Sequence, residues 1–188
     1  MSIRASLDEA VRAIRMIAEL EWEVVRAADR LRAALVAGHK VLTCGNGGSA
    51  ADSSHFASEI ACRFVQDRRP FPALGLASDG SLLTATANDY SFDEVFARQV
   101  VAHGRPGDVL VALSTSGQSR NVVRALGQAK AQGLVTIALL GRDGGQCRGL
   151  ADCELLVPHD VTARIQEAHK VIIHLFCELI EPSLQQAG

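Results

Sequence analysis

His55 and Glu59 stand four residues apart, and Gln166 and His174 stand eight apart towards the other end of the chain. On a helix, a spacing of four puts two side chains on one face, and a spacing of eight offsets them by about 80°. An imidazole, a carboxylate and a second imidazole make a zinc-like ligand mixture, or equally a base and an acid. Each has a bland alternative, a surface His–Glu pair or a core histidine, and His169 between them is open to the same reading. Two loops add a second chemistry. In Gly45-Asn-Gly-Gly-Ser49, the glycines allow positive φ and close approach to a bound group, and Ser49 stands where a helix would begin. The free N–H groups and dipole of such a helix hold an anion without a lysine. Residues 114–119, Ser-Thr-Ser-Gly-Gln-Ser, carry four hydroxyls, more than one helix cap uses.

These groups need a frame, and the apolar pattern supplies one. From residue 40 onward, short apolar runs alternate with helical stretches. Strands are expected at 41–44, 73–77, 109–114, 135–140 and 154–157. Helices are expected at 50–64, 81–88, 92–103, 121–132, 146–150 and 162–180. That alternation implies βαβ crossovers and an α/β fold with about five parallel strands covered on both faces. Both loops then follow strands and precede helices, at the carboxyl ends where open α/β sheets bind ligands. Together they read as a pocket for a phosphorylated polyol. The run Gly45-Asn-Gly-Gly-Ser-Ala50 also fits the dinucleotide pattern G-x-G-x-x-A. The acidic residue expected about 20 positions later falls at Asp67, before the second strand, and Asp79 comes late.

Ahead of the alternating region, apolar residues at helical spacing between 7 and 36 form one long helix or two. A segment of about 5–37 with an apolar stripe must cover it somewhere, and a partner subunit is the expected cover. The whole chain, 1–188, fits one domain. A net charge of −2 and a pI near 6.3 leave no broad basic surface, which argues against nucleic acid or an anionic membrane as partner. Charges at Arg4, Asp8, Glu9, Arg12 and Arg15 interrupt any signal-peptide core, and no apolar run reaches the about 20 residues of a membrane span. Five cysteines without a C-x-x-C pair fit reduced thiols in a cytoplasmic protein.

Five motifs in order carry a family resemblance over nearly the whole chain. Gly45-Asn-Gly-Gly-Ser49, His55-x-x-x-Glu59, Asn88-Asp89-Tyr90, Ser114-Thr-Ser-Gly-x-Ser119 and Arg164-Ile-Gln-Glu-x-His169 with His174 resemble the phosphoheptose isomerases of the sugar isomerase (SIS) superfamily. The resemblance implies a three-layer SIS fold. It also implies interconversion of sedoheptulose 7-phosphate and D-glycero-D-manno-heptose 7-phosphate, the first step of nucleotide-activated heptose biosynthesis. A homotetramer with active sites at subunit interfaces goes with it. It makes Ser114, Thr115, Ser116 and Ser119 the phosphate cradle, and Asn46, Gly47, Gly48, Ser49, Asn88 and Asp89 the sugar lining. Glu59 would be the base and His174 the acid of an enediol(ate) mechanism. One zinc per subunit, held by His55, Glu59, Gln166 and His174, is implied as well, so that Glu59 and His174 serve as ligands, catalysts or both. Ala163 departs from relatives that carry Asp three residues before the glutamine, so no role of that Asp applies here. Two rival readings share the loops. One is a tetrameric SIS protein that binds the bacterial replication initiator, which lacks a carboxylate at the Glu59 position and has Asn where His174 stands. The other is an isomerase or sensor for another sugar phosphate.

Overall fold

The structure, a computed structural model, describes residues 2–187. The five expected strands form, as β1 (Val41–Cys44), β2 (Ala73–Gly75), β3 (Val109–Ser114), β4 (Val135–Gly141) and β5 (Cys153–Val157). They make one all-parallel sheet in the order β2-β1-β3-β4-β5. The order reverses between β1 and β3. In such sheets the loops leaving the two central strands part there and open a crevice at the strands' carboxyl ends.

Alternate residues of each central strand feed opposite faces, as the pleat requires. Val109, Val111 and Leu113 of β3 pack into one core with Phe56, Ile172 and Phe176, while Leu110 and Ala112 enter the other with Val100, Val122 and Leu126. The helices are α1 (Ile3–Arg15), α2 (Glu21–Val36), α3 (Gly48–Ala61), α4 (Gly80–Asp89), α5 (Ala97–His103), α6 (Arg120–Ala131) and α7 (Thr162–Gln186). α2, α3 and α7 build the first core, and α5 and α6 the second, giving three layers. Among the described residues no helix is long and apolar enough to cross a membrane.

Of the two alternatives for the N-terminal stretch the protein has two helices, and several boundaries differ from the sequence reading, among them β2, which ends at Gly75 rather than 77, and α3, which spans Gly48–Ala61 rather than 50–64. The N-terminal helix breaks into α1 and α2 through a 3₁₀ turn at Met16–Leu20, which buries Ile17. The stretch 92–103 divides into a 3₁₀ turn at Phe92–Glu94 and α5. The turn at 146–150 is 3₁₀ over Gly145–Cys147. α7 runs past Pro182 to Gln186, because Leu184 beyond the proline is fully buried. Its packing outweighs the single backbone bond that proline removes.

The α1 segment covers only part of its apolar surface. Ala13 and Ile17 are buried, but Ile3, Leu7 and Val11, at spacings of four, face outward, as does Trp22 of α2.

Candidate active site

The first loop leaves β1 and becomes α3 at once. Gly47 holds φ +56°, and Ser49 and Ala50 donate their N–H groups back to Asn46 and Gly47 carbonyls at 3.0 and 3.1 Å. The cap position belongs to Gly47, not to Ser49 as the sequence suggested. Ser49 is buried inside the first turn, and a Cβ on Gly45 would lie 2.7 Å from its carbonyl oxygen, so a bare Gly45 lets the turn close. Asn46 forms a reciprocal amide pair with Asn121 at the start of α6: each side chain donates to the other, at 2.8 and 2.9 Å. That pair ties the loops after β1 and β3 across the crevice. Sequence reasoning missed Asn121, whose only signal was its place in the first turn after the hydroxyl loop.

The second loop, 114–119, curls on itself. Ser114 Oγ donates to Ser119 Oγ at 3.3 Å and accepts Gly117 N–H at 3.1 Å, and Ser116 Oγ accepts Gln118 N–H at 3.2 Å. Ser119 holds the cap position of α6 without making a side-chain cap bond. Its O–H proton and the free N–H groups of the α6 first turn are left to a ligand, an anion site beside Arg120, whose guanidinium pairs with Asp93 at 3.0 Å. Gly117 sits at φ +63°, and a Cβ there would lie 1.9 Å from Gly144 O. The loop after β4 thus forms the floor of the hydroxyl loop.

α3 and α7 run side by side in the same direction, and their facing residues meet in order. Gln166 lies against Gly48, Lys170 Nζ pairs with Asp52 Oδ1 at 2.6 Å, and His174 Nε2 stands 3.2 Å from His55 Nε2. Glu59 Oε1, one turn along α3, lies 3.4 Å from the same His55 nitrogen. The fold therefore joins His55, Glu59 and His174, residues up to 119 positions apart, which spacing alone could not do. Gln166 makes no hydrogen bond to these three among the described residues; its amide lies close against Gly48, where an added Cβ would come within 2.5 Å of Nε2. Among the described residues no trio of His, Cys, Asp or Glu side chains closes around one point, and His55 meets its two partners separately.

Burial lowers the pKa of His55, and the Lys170 ammonium lowers it further, against the raising effect of Glu59. The surroundings of His55 thus favour the neutral ring over the charged one. His169 is fully buried, its Nε2 is 3.1 Å from the Leu140 carbonyl at the end of β4, and burial pushes its pKa down to about 4. A neutral ring with its proton on Nε2 donates that bond and fastens α7 to the sheet. Asn88 donates to Asp89 at 2.9 Å, and both are exposed at the end of α4.

A family model described as the SIS domain matches residues 7–141. That span takes in the sheet-end crevice and both loops. The chain is 47% identical to a phosphoheptose isomerase of Alteromonas mediterranea over 186 residues, 97% of this chain and 94% of that one. A solved phosphoheptose isomerase from Neisseria gonorrhoeae superposes with a TM-score of 0.90 at 44% identity, covering 96% of this chain and 97% of that one. Another, from Francisella tularensis, gives 0.92 at 36% identity, with 96% of each chain covered. The chain belongs to the phosphoheptose isomerase family of SIS-domain proteins.

Proposed function

We propose that the chain isomerises sedoheptulose 7-phosphate to D-glycero-D-manno-heptose 7-phosphate. The observation that carries this reading is the meeting of His55, Glu59 and His174, in a fold that also carries a hydroxyl loop able to hold a phosphate at the strand ends. The phosphate takes the 114–119 loop and the α6 first turn, and the Asn46–Asn121 pair holds the two walls at a fixed separation. Glu59 removes a proton from C1 of the ketose while His174 protonates the C2 oxygen, giving an enediol. Glu59 returns the proton to C2 while His174 takes the O1 proton, so the C1 aldehyde forms and both groups regain their starting states. No atom is gained or lost.

A zinc ion suits the same three side chains. Two imidazole nitrogens and a carboxylate oxygen are a borderline-soft donor set of the kind zinc takes, and His55 Nε2 already stands 3.2 Å from His174 Nε2 and 3.4 Å from Glu59 Oε1, although the three do not close around one point in this structure. His55, Glu59 and His174 would hold it, and Gln166 would complete the set by leaving Gly48. Such an ion would supply Lewis-acid stabilisation of the enediol oxygens.

The outward stripe of Ile3, Leu7 and Val11, with Trp22 exposed nearby, supports assembly of the chain as a homotetramer through its N-terminal helices. The exposure of Asn88 and Asp89 suits sites completed at subunit interfaces. A cytoplasmic setting goes with a charged, phosphorylated substrate and five free thiols. The rival initiator-binding reading asks for no carboxylate or imidazole at positions 59 and 174, and this chain has both. A coupled assay of the purified protein against a panel of ketose 7-, 6- and 5-phosphates tests the proposal. Turnover is expected with the seven-carbon ketose, and turnover confined to a shorter sugar would replace it.

A further inference from the structure

Residues 62–72, between α3 and β2, form no helix or strand, yet they close around one guanidinium. Arg68 Nη2 donates to the backbone carbonyl of Glu59 itself at 2.8 Å, and Nη1 donates to those of Ile60 and Arg69 at 3.1 Å. Its Nε stands 3.9 Å from Glu181 Oε1, and the two side chains are only 3% and 8% exposed. Glu181, on α7, accepts the N–H of Val65 at 3.1 and 3.3 Å through its two oxygens. Phe71 lies under the guanidinium, 5.5 Å from its centre.

A helix leaves its last carbonyls unbonded, and a cation there also opposes the negative end of the dipole. Arg68 does both for α3. Glu59 stands in the final turn of that helix, two residues before its last residue Ala61, where helices fray. A proton-transferring carboxylate must be held to within about 0.5 Å of its working position. Glu181 lies seven residues beyond His174, about two turns of α7 and so on nearly the same face. One face of α7 thus carries both the imidazole that meets the site and the carboxylate that backs the end of α3.

We infer that Arg68, backed by Glu181, is a positioning residue for the isomerase reaction, bracing the last turn of α3 so that Glu59 is fixed against His55 and His174. The inference rests on the reading of Glu59 as the base.

Arg68→Lys keeps the cation but cannot bond three carbonyls from two nitrogens, and Glu181→Gln keeps the shape and the acceptor without the charge. Both are read by amide hydrogen exchange and by steady-state turnover of sedoheptulose 7-phosphate. In Arg68→Lys the amides of residues 60–62 exchange at least about ten-fold faster, while those of the sheet keep wild-type rates. The kcat falls about ten- to a hundred-fold with KM changed by less than about three-fold, as for a base displaced by a fraction of an ångström. Glu181→Gln gives the same pattern, weaker, and decides the matter should Arg68→Lys not fold. A wild-type kcat in a variant whose α3 end exchanges faster would overturn the inference. So would unchanged exchange at residues 60–62, or a lower kcat that follows faster exchange through the whole sheet. A wild-type protein inactive on the sugar would refute the proposed function instead, and the exchange of residues 60–62 alone would then decide whether the brace exists.

Discussion

His169 offers a pH dependence whose size follows from its surroundings. The ring is fully buried with its Nε2 on the Leu140 carbonyl, and burial lowers its pKa from 6.5 to about 4, against smaller raising effects of that bond and of Asp52. In the unfolded chain the imidazole takes up a proton near pH 6.5, but in the folded protein it stays neutral down to about pH 4. Between these values the unfolded state binds more protons, so stability falls as pH falls through the window. At 1.36 kcal/mol per unit the full effect is about 3 kcal/mol, of which about 2 kcal/mol is reached by pH 5. His169→Gln removes the titration and keeps an N–H donor for Leu140. Urea unfolding at pH 8, 6.5 and 5, at one protein concentration because assembly shifts the midpoint, reads the effect. At pH 8 the variant is the less stable by about 1–2 kcal/mol from lost packing. By pH 5 the gap closes, because only the wild type has lost the His169 contribution. Parallel stability curves for the two proteins across this window would refute the reasoning.

Three further outcomes follow from the site. Gly117→Ala puts a Cβ 1.9 Å from Gly144 O at φ +63°, so the hydroxyl loop must move; KM for the sugar phosphate rises about ten-fold or more, with a stability loss of about 2 kcal/mol or more in chemical denaturation. Asn121→Ala leaves the half-buried Asn46 amide without its partner; a double-mutant cycle with Asn46→Ala gives a coupling of about 1 kcal/mol in stability and a shared loss of kcat/KM. Protein purified without a histidine tag contains zinc by elemental analysis at about one per chain, and His55→Ala loses it, because the variant lacks one of the two imidazole donors.

Much of the fold was legible because parallel strands buried on both faces read as short apolar runs. Those at 41–44 and 109–114 match β1 and β3 residue for residue. The break at Met16–Leu20 was not legible, since its apolar spacing continues that of the flanking helices. The end of α7 was hidden by Pro182, a local stop signal that the burial of Leu184 overrides. In the site, the pairing of His55 with Glu59 was readable from a spacing of four. The meeting of that pair with His174 depends on α3 and α7 lying side by side, a tertiary fact outside any local pattern. Ser49 illustrates the reverse error: a serine after glycines looks like a cap, but Gly47 at positive φ caps the helix two residues earlier, and Ser49 is buried in its first turn. The Arg68–Glu181 brace left no sequence signal either, because its partners lie 113 positions apart and its main acceptors are backbone carbonyls.

The central claim is that Glu59 carries the proton between C1 and C2. Incubation of the wild type with sedoheptulose 7-phosphate in deuterated water, followed by NMR of the sugar, tests it most directly. The account predicts formation of the aldose with solvent deuterium appearing at the exchanged carbon. In Glu59→Gln, folded and assembled as the wild type, both signals fall by about 10²–10⁴-fold. Deuterium incorporation and aldose formation at wild-type rates in Glu59→Gln would contradict it.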